Sequence, residues 1–369
     1  MRPIAPAAVD VADTPLAMSA PRVAVIGSGA WGTTLAMLVA RREPVTLLCH
    51  SETTAAAIRA SGRNEARLPG VDLPRTVAAT ADPAVLAEAT DLVIFAAPSS
   101  HLRSMTALAA PYLAPTADRL SATKGLERGT LLRMSQVIEA AGGAEPGRVA
   151  ALSGPNLAAE VARNLPTSAV VASSDVELAQ RIIARLARRR FRLYVNEDQL
   201  GVELAGALKN VVAIAAGAAD GLGFGDNGKA GLLTRGLAEM MRLGIAAGAN
   251  ALTFAGLAGI GDLIATCGSR LSRNHQLGEQ LAAGRTWAEL EGTLSGTAEG
   301  AYTVRSALAL ADRYGVEMPI AREVERALFE GKPVRRCLVD LLSRESKDEL
   351  ADADAWLARL GVMASQVPE

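Results

Sequence analysis

The stretch VAVIGSGAWGTTLA, Val23 to Ala36, carries three glycines in the spacing Gly27-x-Gly29-x-x-Gly32. A β-branched run, Arg22-Val-Ala-Val-Ile26, precedes them. A helical pattern from Thr33 to Arg42 follows, with Leu35, Leu38 and Val39 on one side. A second apolar run, Val45-Thr-Leu-Leu-Cys49, comes next. Strand, glycine turn, helix and strand in that order form the setting in which such a triplet binds a dinucleotide rather than simply marking a tight turn. Gly27 allows the sharp turn, Gly29 lets a phosphate approach the backbone, and Gly32 lets helix pack on strand. The helix N–H groups then face the pyrophosphate charge.

Working outward, the 369 residues suffice for two domains with substantial cores. Lys plus Arg number 38 and Asp plus Glu 39, a formal net charge of −1 that gives no sign of a nucleic-acid partner. Cys49, Cys267 and Cys337 show neither CxxC pairing nor metal spacing, and His50, His101 and His275 are scattered, so no metal is expected. The cysteines fit a reducing cytoplasm, with Cys49 and Cys267 as buried small hydrophobes. Apolar runs are broken by Gly, Lys or Asp before about 18 residues, so no transmembrane segment is expected. The Ala/Pro-rich residues 1–20 lack the pattern of a secretory signal and read as a disordered tail.

From 21 to 195 short apolar strands alternate with helical segments, at 22–26, 45–49, 92–96, 119–123, 149–153, 168–172 and 191–195. The run Asp91-Leu-Val-Ile-Phe-Ala-Ala-Pro98 is a buried parallel strand whose loop, at Pro98, opens on a ligand crevice. Beyond Asn196 only helices are predicted, at 197–218, 228–248, 272–283, 298–314, 318–330, 334–345 and 348–360. The expectation is an α/β doubly wound sheet over 21–195, which binds the nucleotide, followed by an all-α substrate domain over 196–362.

Four stretches strand polar groups among apolar ones. In Leu120-Ser-Ala-Thr-Lys-Gly-Leu126, Lys124 ends a strand, where open α/β sheets place ligands, although taken alone it reads equally as a surface lysine. In Leu152-Ser-Gly-Pro-Asn-Leu-Ala158 the turn at Gly154 exposes N–H groups, and Asn156 either faces a ligand or caps a helix. In the segment 201–216, Lys209 and Asn210 interrupt a helix apolar almost all round, which places Lys209 in the core unless it reaches back to solvent. In Leu257-Ala-Gly-Ile-Gly-Asp-Leu-Ile-Ala-Thr-Cys267, Asp262 is a natural partner for a buried lysine. The following Ser272-Arg273-Asn274 offers hydroxyl, guanidinium and amide at a helix start, which is phosphate-binding chemistry or an ordinary helix cap.

These stretches, in this order behind this glycine loop, resemble the bacterial-type NAD(P)-dependent glycerol-3-phosphate dehydrogenases. The likeness runs from Val23 to about Leu350 through GSGAWGT, SATKGLE, SGPNLAAE, GVELAGALKNVVAI, GLGFGDN, TRGLAEM, AGIGDLIATC, SRNHQLG, GTAEG and GVEMPI. It implies a Rossmann domain followed by a helical domain, and interconversion of dihydroxyacetone phosphate and sn-glycerol 3-phosphate for phospholipid synthesis. By position, the family's catalytic proton donor falls on Lys209, with Lys124 beside both cofactor and substrate and Asp262 the accompanying acid. Thr266 falls one turn further on, and Ser272, Arg273 and Asn274 fall on the substrate-phosphate site, where Arg273 also approaches the cofactor. Asn210, Gly154 and Asn156 complete the substrate side. Trp31, His50, Ala158, Thr297 and Glu299 join the glycine loop and Pro98 as cofactor contacts. Two positions depart from the pattern: Ala30 replaces a common serine in the loop, and Asn156 stands where Ser or Thr is usual.

Reduction of a ketone leaves an alkoxide that needs a proton, which Lys209 can supply with its pKa lowered by burial and by Lys124. An NAD-selective site places a carboxylate at the end of the second strand, whereas this one ends in Cys49-His50-Ser51, which favours NADPH, with NADH the other cofactor. Two other classes share parts of the plan. A β-hydroxyacid or ketopantoate-type reductase has no need of the Ser272–Asn274 triplet, and a nucleotide-sensing binding protein has no need of Lys209 with Asp262. The expected partner is a small molecule, the location cytoplasmic, and a homodimer is left open.

Overall fold

The computed structural model describes residues 22–292 and 297–344, and the tail expected at 1–20 and the helix expected at 348–360 lie outside them. The strands are β1 (Val23–Ile26), β2 (Val45–Leu48), β3 (Val77–Thr80), β4 (Leu92–Phe95), β5 (Asp118–Ser121), β6 (Val149–Ser153), β7 (Thr167–Ala172) and β8 (Phe191–Asn196). Among the described residues they form one sheet in the order β3-β2-β1-β4-β5-β6-β7-β8. All pairings are parallel except β6 with β7.

Helices α1 (Ala30–Ala40), α2 (Glu52–Ser61), α3 (Ser99–Ala109), α4 (Met134–Gly142), α5 (Ala158–Ala162) and α6 (Val176–Leu186) connect the strands. Side chains alternate across a strand, and here both faces are apolar. Val23, Val25, Leu47 and Ile94 face one core with Leu35, Leu178 and Ile182, whereas Ala24, Ile26, Val93 and Phe95 face another with Leu102, Val137 and Ile138. Helices therefore cover both faces, as a doubly wound sheet requires. The order reverses between β1 and β4, so a crevice opens at the carboxyl ends of those strands.

The remaining helices are α7 (Gln199–Gly221), α8 (Gly225–Ala246), α9 (Ala251–Phe254), α10 (Asp262–Gly268), α11 (Arg273–Ala282), α12 (Trp287–Leu290), α13 (Glu299–Tyr314), α14 (Pro319–Phe329) and α15 (Val334–Leu342). A π-helical turn, Leu257–Gly261, leads into α10. Helix α7 is buried from Gly201 to Ala219 and forms the axis of this half. Glycines let other helices touch its backbone. A Cβ on Gly217 would lie 1.9 Å from the His275 carbonyl oxygen, one on Gly278 2.0 Å from that of Ile214, and one on Gly300 2.5 Å from that of Asn210. On α8, the buried Glu239 accepts N–H bonds from Ile320 and Ala321 at the start of α14.

Several details differ from the sequence reading. Strand β3 was not expected; Val77-Ala-Ala-Thr80 is a half-exposed edge with little apolar signal. Helix α1 begins three residues earlier than Thr33 and is buried from Gly32 to Ala40 rather than along one side. Helix α8 begins at Gly225 rather than 228. By length and composition, Gln199–Gly221 and Ala251–Gly268 reach the measure of a membrane span, contrary to the expectation that no apolar stretch does. The first is wholly buried inside the protein and the second half so, and the first serves here as a core helix. All three cysteines are buried.

Candidate functional site

The glycine loop lies at the end of β1, and each glycine has a distinct geometry. Gly27 has φ +113°, and a Cβ there would sit 2.8 Å from the Ala96 backbone. At Gly32 a Cβ would meet the Gly27 carbonyl oxygen at 1.9 Å, whereas at Gly29 it would meet nothing within 4 Å. The loop is thus closed on two sides and open at Gly29, where a phosphate needs to approach. Helix α1 starts there with no side-chain cap and no acidic residue in its first turn, so its first N–H groups remain for an anion. The chain fits a dinucleotide.

Of the residues expected at the cofactor, Ala30, Trp31, His50, Pro98 and Ala158 follow the carboxyl ends of strands, and Thr297 and Glu299 come from the second half. Ala30 and Trp31 open α1, and the Trp31 indole nitrogen is buried with no partner. His50 is exposed just past β2, beside Ser51, which caps α2. Pro98 immediately precedes α3. The Ala158 carbonyl accepts from Thr34 Oγ at 3.2 Å, which fixes α5 against α1. Glu299, at the start of α13, accepts from the Ser99 backbone N–H at 3.1 Å and from its hydroxyl, a link between the two halves. Burial raises the Glu299 pKa, opposed by those bonds and by Arg273. Thr297 lines a cavity of about 210 Å³ together with Arg67, Trp287 and Tyr302.

On the substrate side, loops after β5 and β6 meet helices α7 and α10. Lys209 on α7 is only 6% exposed, so it does not reach back to solvent. Its ammonium lies 3.1 Å from Asp262 Oδ1 and donates to Thr266 Oγ at 2.6 Å. Thr266 donates in turn to Asp262 Oδ1 at 3.1 Å. Lys124 donates to the other oxygen, Asp262 Oδ2, at 2.5 Å, to the Gly154 carbonyl at 3.0 Å and to Asn156 Oδ1 at 3.0 Å. Asn156 therefore faces the site and does not cap α5, whose cap residue is Leu157. The Asn156 Nδ2 is buried without a partner. Gly154 itself has φ +132°, a turn that aims its carbonyl at Lys124.

Two lysines on one carboxylate reshape the local charge. Burial pushes the Lys124 ammonium down to about 8, with the charge of Asp262 opposing and that of Lys209 adding. Burial raises the Asp262 carboxyl, but Lys124 and then Lys209 outweigh it and hold it below the ordinary range. An ammonium has three donors. Lys124 uses three on protein acceptors, whereas Lys209 has two oxygen neighbours, so Lys209 has the N–H to spare.

At the start of α11 the helix-cap alternative is realised. Ser272 caps the helix, accepting from the His275 N–H at 3.3 Å. Asn274 donates to Asn210 Oδ1 at 2.8 Å and accepts from the Gly300 N–H at 2.9 Å, tying α7, α11 and α13 together. Both amides thereby spend their carbonyl oxygens inside the protein. Arg273 stays solvent-accessible and pairs with no described residue; surrounding protein lowers its pKa through desolvation, Glu299 opposing and Arg67 adding.

Three contributors carried no sequence signal. Asn64, 2% exposed, donates to the Ser28 carbonyl at 2.9 Å and to Thr33 Oγ at 2.8 Å, bracing the glycine loop from behind. Ser99 holds Glu299, and Glu203 accepts from the Ser135 N–H at 2.9 Å and from Arg133, anchoring α7 on α4.

Comparison with known proteins bears on this arrangement. Residues 22–179 match the model of the NAD-dependent glycerol-3-phosphate dehydrogenase N-terminus, and 198–339 that of its C-terminus. A glycerol-3-phosphate dehydrogenase [NAD(P)+] of Streptomyces avermitilis is 46% identical over 334 residues, 90% of this chain and 99% of that protein. The crystal structure of a glycerol-3-phosphate dehydrogenase from Coxiella burnetii superposes with a TM-score of 0.83 at 37% identity, covering 87% of this chain and 98% of that one. A ketopantoate reductase from Ralstonia eutropha shares the fold at 18% identity and a TM-score of 0.54, over 87% of this chain and 99% of that one.

Proposed function

The chain belongs to the family of NAD-dependent glycerol-3-phosphate dehydrogenases, and from that premise we propose a division of labour among its residues. The protein is an oxidoreductase that interconverts dihydroxyacetone phosphate and sn-glycerol 3-phosphate with NADPH or NADH. Residues 21–195 bind the dinucleotide and 196–362 bring the substrate to it. When bound, the nicotinamide supplies the reducing equivalent to the carbonyl carbon. The chain supplies everything else.

Lys209 donates a proton to the developing alkoxide through its spare N–H, and its place on a buried helix keeps water from competing. Thr266 and Asp262 aim that ammonium. Lys124, tied to Gly154 and Asn156, fixes the second oxygen of Asp262 and adds positive charge where the oxyanion grows. Arg273, the N–H groups of α11, the Ser272 hydroxyl and the amide N–H groups of Asn210 and Asn274 hold the substrate phosphate, so that remote binding energy positions the carbonyl. The glycine loop, Ala30, Trp31, Pro98 and Ala158 hold the cofactor's phosphates and sugars, and Thr297 and Glu299 reach it from the second domain. His50, with no carboxylate at the strand end, tolerates a 2′-phosphate, which favours NADPH.

The observation that carries this reading is the shared carboxylate of Asp262, with Lys209 alone keeping a donor free. Purified protein should oxidise NADPH with dihydroxyacetone phosphate far faster than with unphosphorylated dihydroxyacetone or ketopantoate. Comparable rates on ketopantoate would overturn the substrate assignment. We place the enzyme in the cytoplasm, feeding phospholipid synthesis, and light scattering tests whether it acts as a homodimer.

A further inference from the structure

The segment Asp220-Gly-Leu-Gly-Phe-Gly-Asp-Asn-Gly-Lys229 spans the joint of α7 and α8 and holds none of the residues assigned so far. Gly223 and Gly225 have φ +71° and +69°, values that favour glycine, and they let the chain double back. Lys229 thereby donates to Asp220 Oδ2 at 2.5 Å. The same oxygen meets His275 Nε2 of α11 at 2.7 Å. His275 is 3% exposed, and its other ring nitrogen, 3.7 Å from Glu279, has no hydrogen-bond partner among the described residues. Burial raises the Asp220 pKa, but Lys229 and His275 outweigh it and hold the carboxyl below its ordinary value. An ionised carboxylate only accepts, so His275 carries a proton on Nε2 and donates it.

His275 directly follows Arg273 and Asn274, so this bond acts on the turn that presents them. Two neighbouring side chains of that turn grip α7 at separate points. Asn274 is bonded to Asn210, and His275 to Asp220, ten residues or about 15 Å further along the helix. Between those points the backbones touch, at Gly217 and the His275 carbonyl. A helix held at one contact swivels about it, and bonds on either side remove that freedom. Arg273 then keeps a fixed direction relative to Lys209, which stands about three turns before Asp220 on the same face of α7.

We propose that Asp220 is a positioning residue for the reaction: by holding His275 it fixes the first turn of α11, and with it Arg273, at the spacing from Lys209 that a small phosphate ester spans. This rests on the assignment of Arg273 to the substrate phosphate. Asp220 touches neither substrate nor cofactor and acts only through α11. Its loss weakens binding of the phosphorylated substrate and spares proton transfer at Lys209.

The test is steady-state kinetics of the full chain at saturating NADPH, with dihydroxyacetone phosphate and with unphosphorylated dihydroxyacetone. Asp220→Ala should raise KM for dihydroxyacetone phosphate about tenfold and leave kcat within about threefold. Its kcat/KM for dihydroxyacetone should stay within about twofold of the parent, a selectivity that general loosening of the fold does not produce. His275→Ala should match Asp220→Ala, whereas His275→Gln, whose amide replaces the Nε2 donor, should retain most of the parent's affinity. Asp220→Ala/His275→Ala should be no worse than either single variant, because the same bond is broken. Unchanged KM in either alanine variant overturns the proposal, as do equal losses on the two substrates, additive losses in the double variant, or His275→Gln no better than His275→Ala. Should Asp220→Ala fail to fold, the two His275 variants carry the same comparison. Arg273→Ala is run in parallel. Equal losses on both substrates there would remove the phosphate assignment itself, whereas a selective loss there with unchanged KM in Asp220→Ala would refute only the role of Asp220.

Discussion

Asp262 serves two ammonium groups through its two oxygens, and the different surroundings of those lysines separate their roles. If Lys209 is the proton donor, as proposed, Lys209→Ala should cut turnover by roughly 10²–10⁴-fold, with nucleotide Kd nearly unchanged by fluorescence titration. Arg273→Ala should lower kcat/KM for dihydroxyacetone phosphate by roughly 10- to 100-fold. The already poor rate on dihydroxyacetone should barely move, and equal losses on both would place Arg273 in the fold or at the cofactor alone. Lys124 titrates within reach of ordinary assays, its pKa lowered to about 8. Its charge is present below that pH and lost above it, so kcat/KM for ketone reduction should fall as pH rises through about 8. Lys124→Arg, which stays charged, should displace that decline to higher pH even if its plateau is lower.

Among the elements, α7 is the one on which the site depends, and its glycine contacts fix what it can tolerate. A Cβ on Gly278 would press on the Ile214 carbonyl oxygen at 2.0 Å, so α11 must move away from α7. Gly278→Ala should destabilise the protein by roughly 1–3 kcal/mol or more in urea unfolding. It should also raise KM for dihydroxyacetone phosphate, because α11 carries Arg273 and Asn274. This shows what was readable beforehand. The apolar run around Lys209 announced a buried helix, and a buried lysine demanded the partner that Asp262 provides. The strands were readable wherever they are buried on both faces, as at Leu92–Phe95, and unreadable at Val77–Thr80, where alanines at a half-exposed edge leave no pattern. The reversed direction of β7 was equally hidden, since nothing local in Thr167–Ala172 distinguishes it from a parallel strand. Asn64, Ser99 and Glu203 work through partners 31 to 200 residues away, and spacing within one segment cannot reveal them.

At the scale of the whole molecule, a carboxyl far from the chemistry sets part of the pH dependence of stability. Burial pushes Glu239 up to about 7, opposed by the N–H bonds from Ile320 and Ala321 and by Arg242 and Arg344. A carboxyl with a raised pKa favours folding while it holds its proton, and that advantage is lost as pH climbs from about 4.5 through about 7. Relative to Glu239→Gln, the parent should therefore lose roughly 3 kcal/mol between pH 4.5 and 8 in urea unfolding. A gap that stays constant with pH would mean that the carboxyl ionises normally. The glycine contacts around α7 have a consequence for redesign as well as for folding. Gly217, Gly278 and Gly300 press backbone on backbone, so a side chain added at any of them pushes helices apart around the lysine–aspartate pair. His50, exposed just past the second strand, carries no such constraint. A change of nicotinamide cofactor can therefore be sought there without moving the helix that carries Lys209.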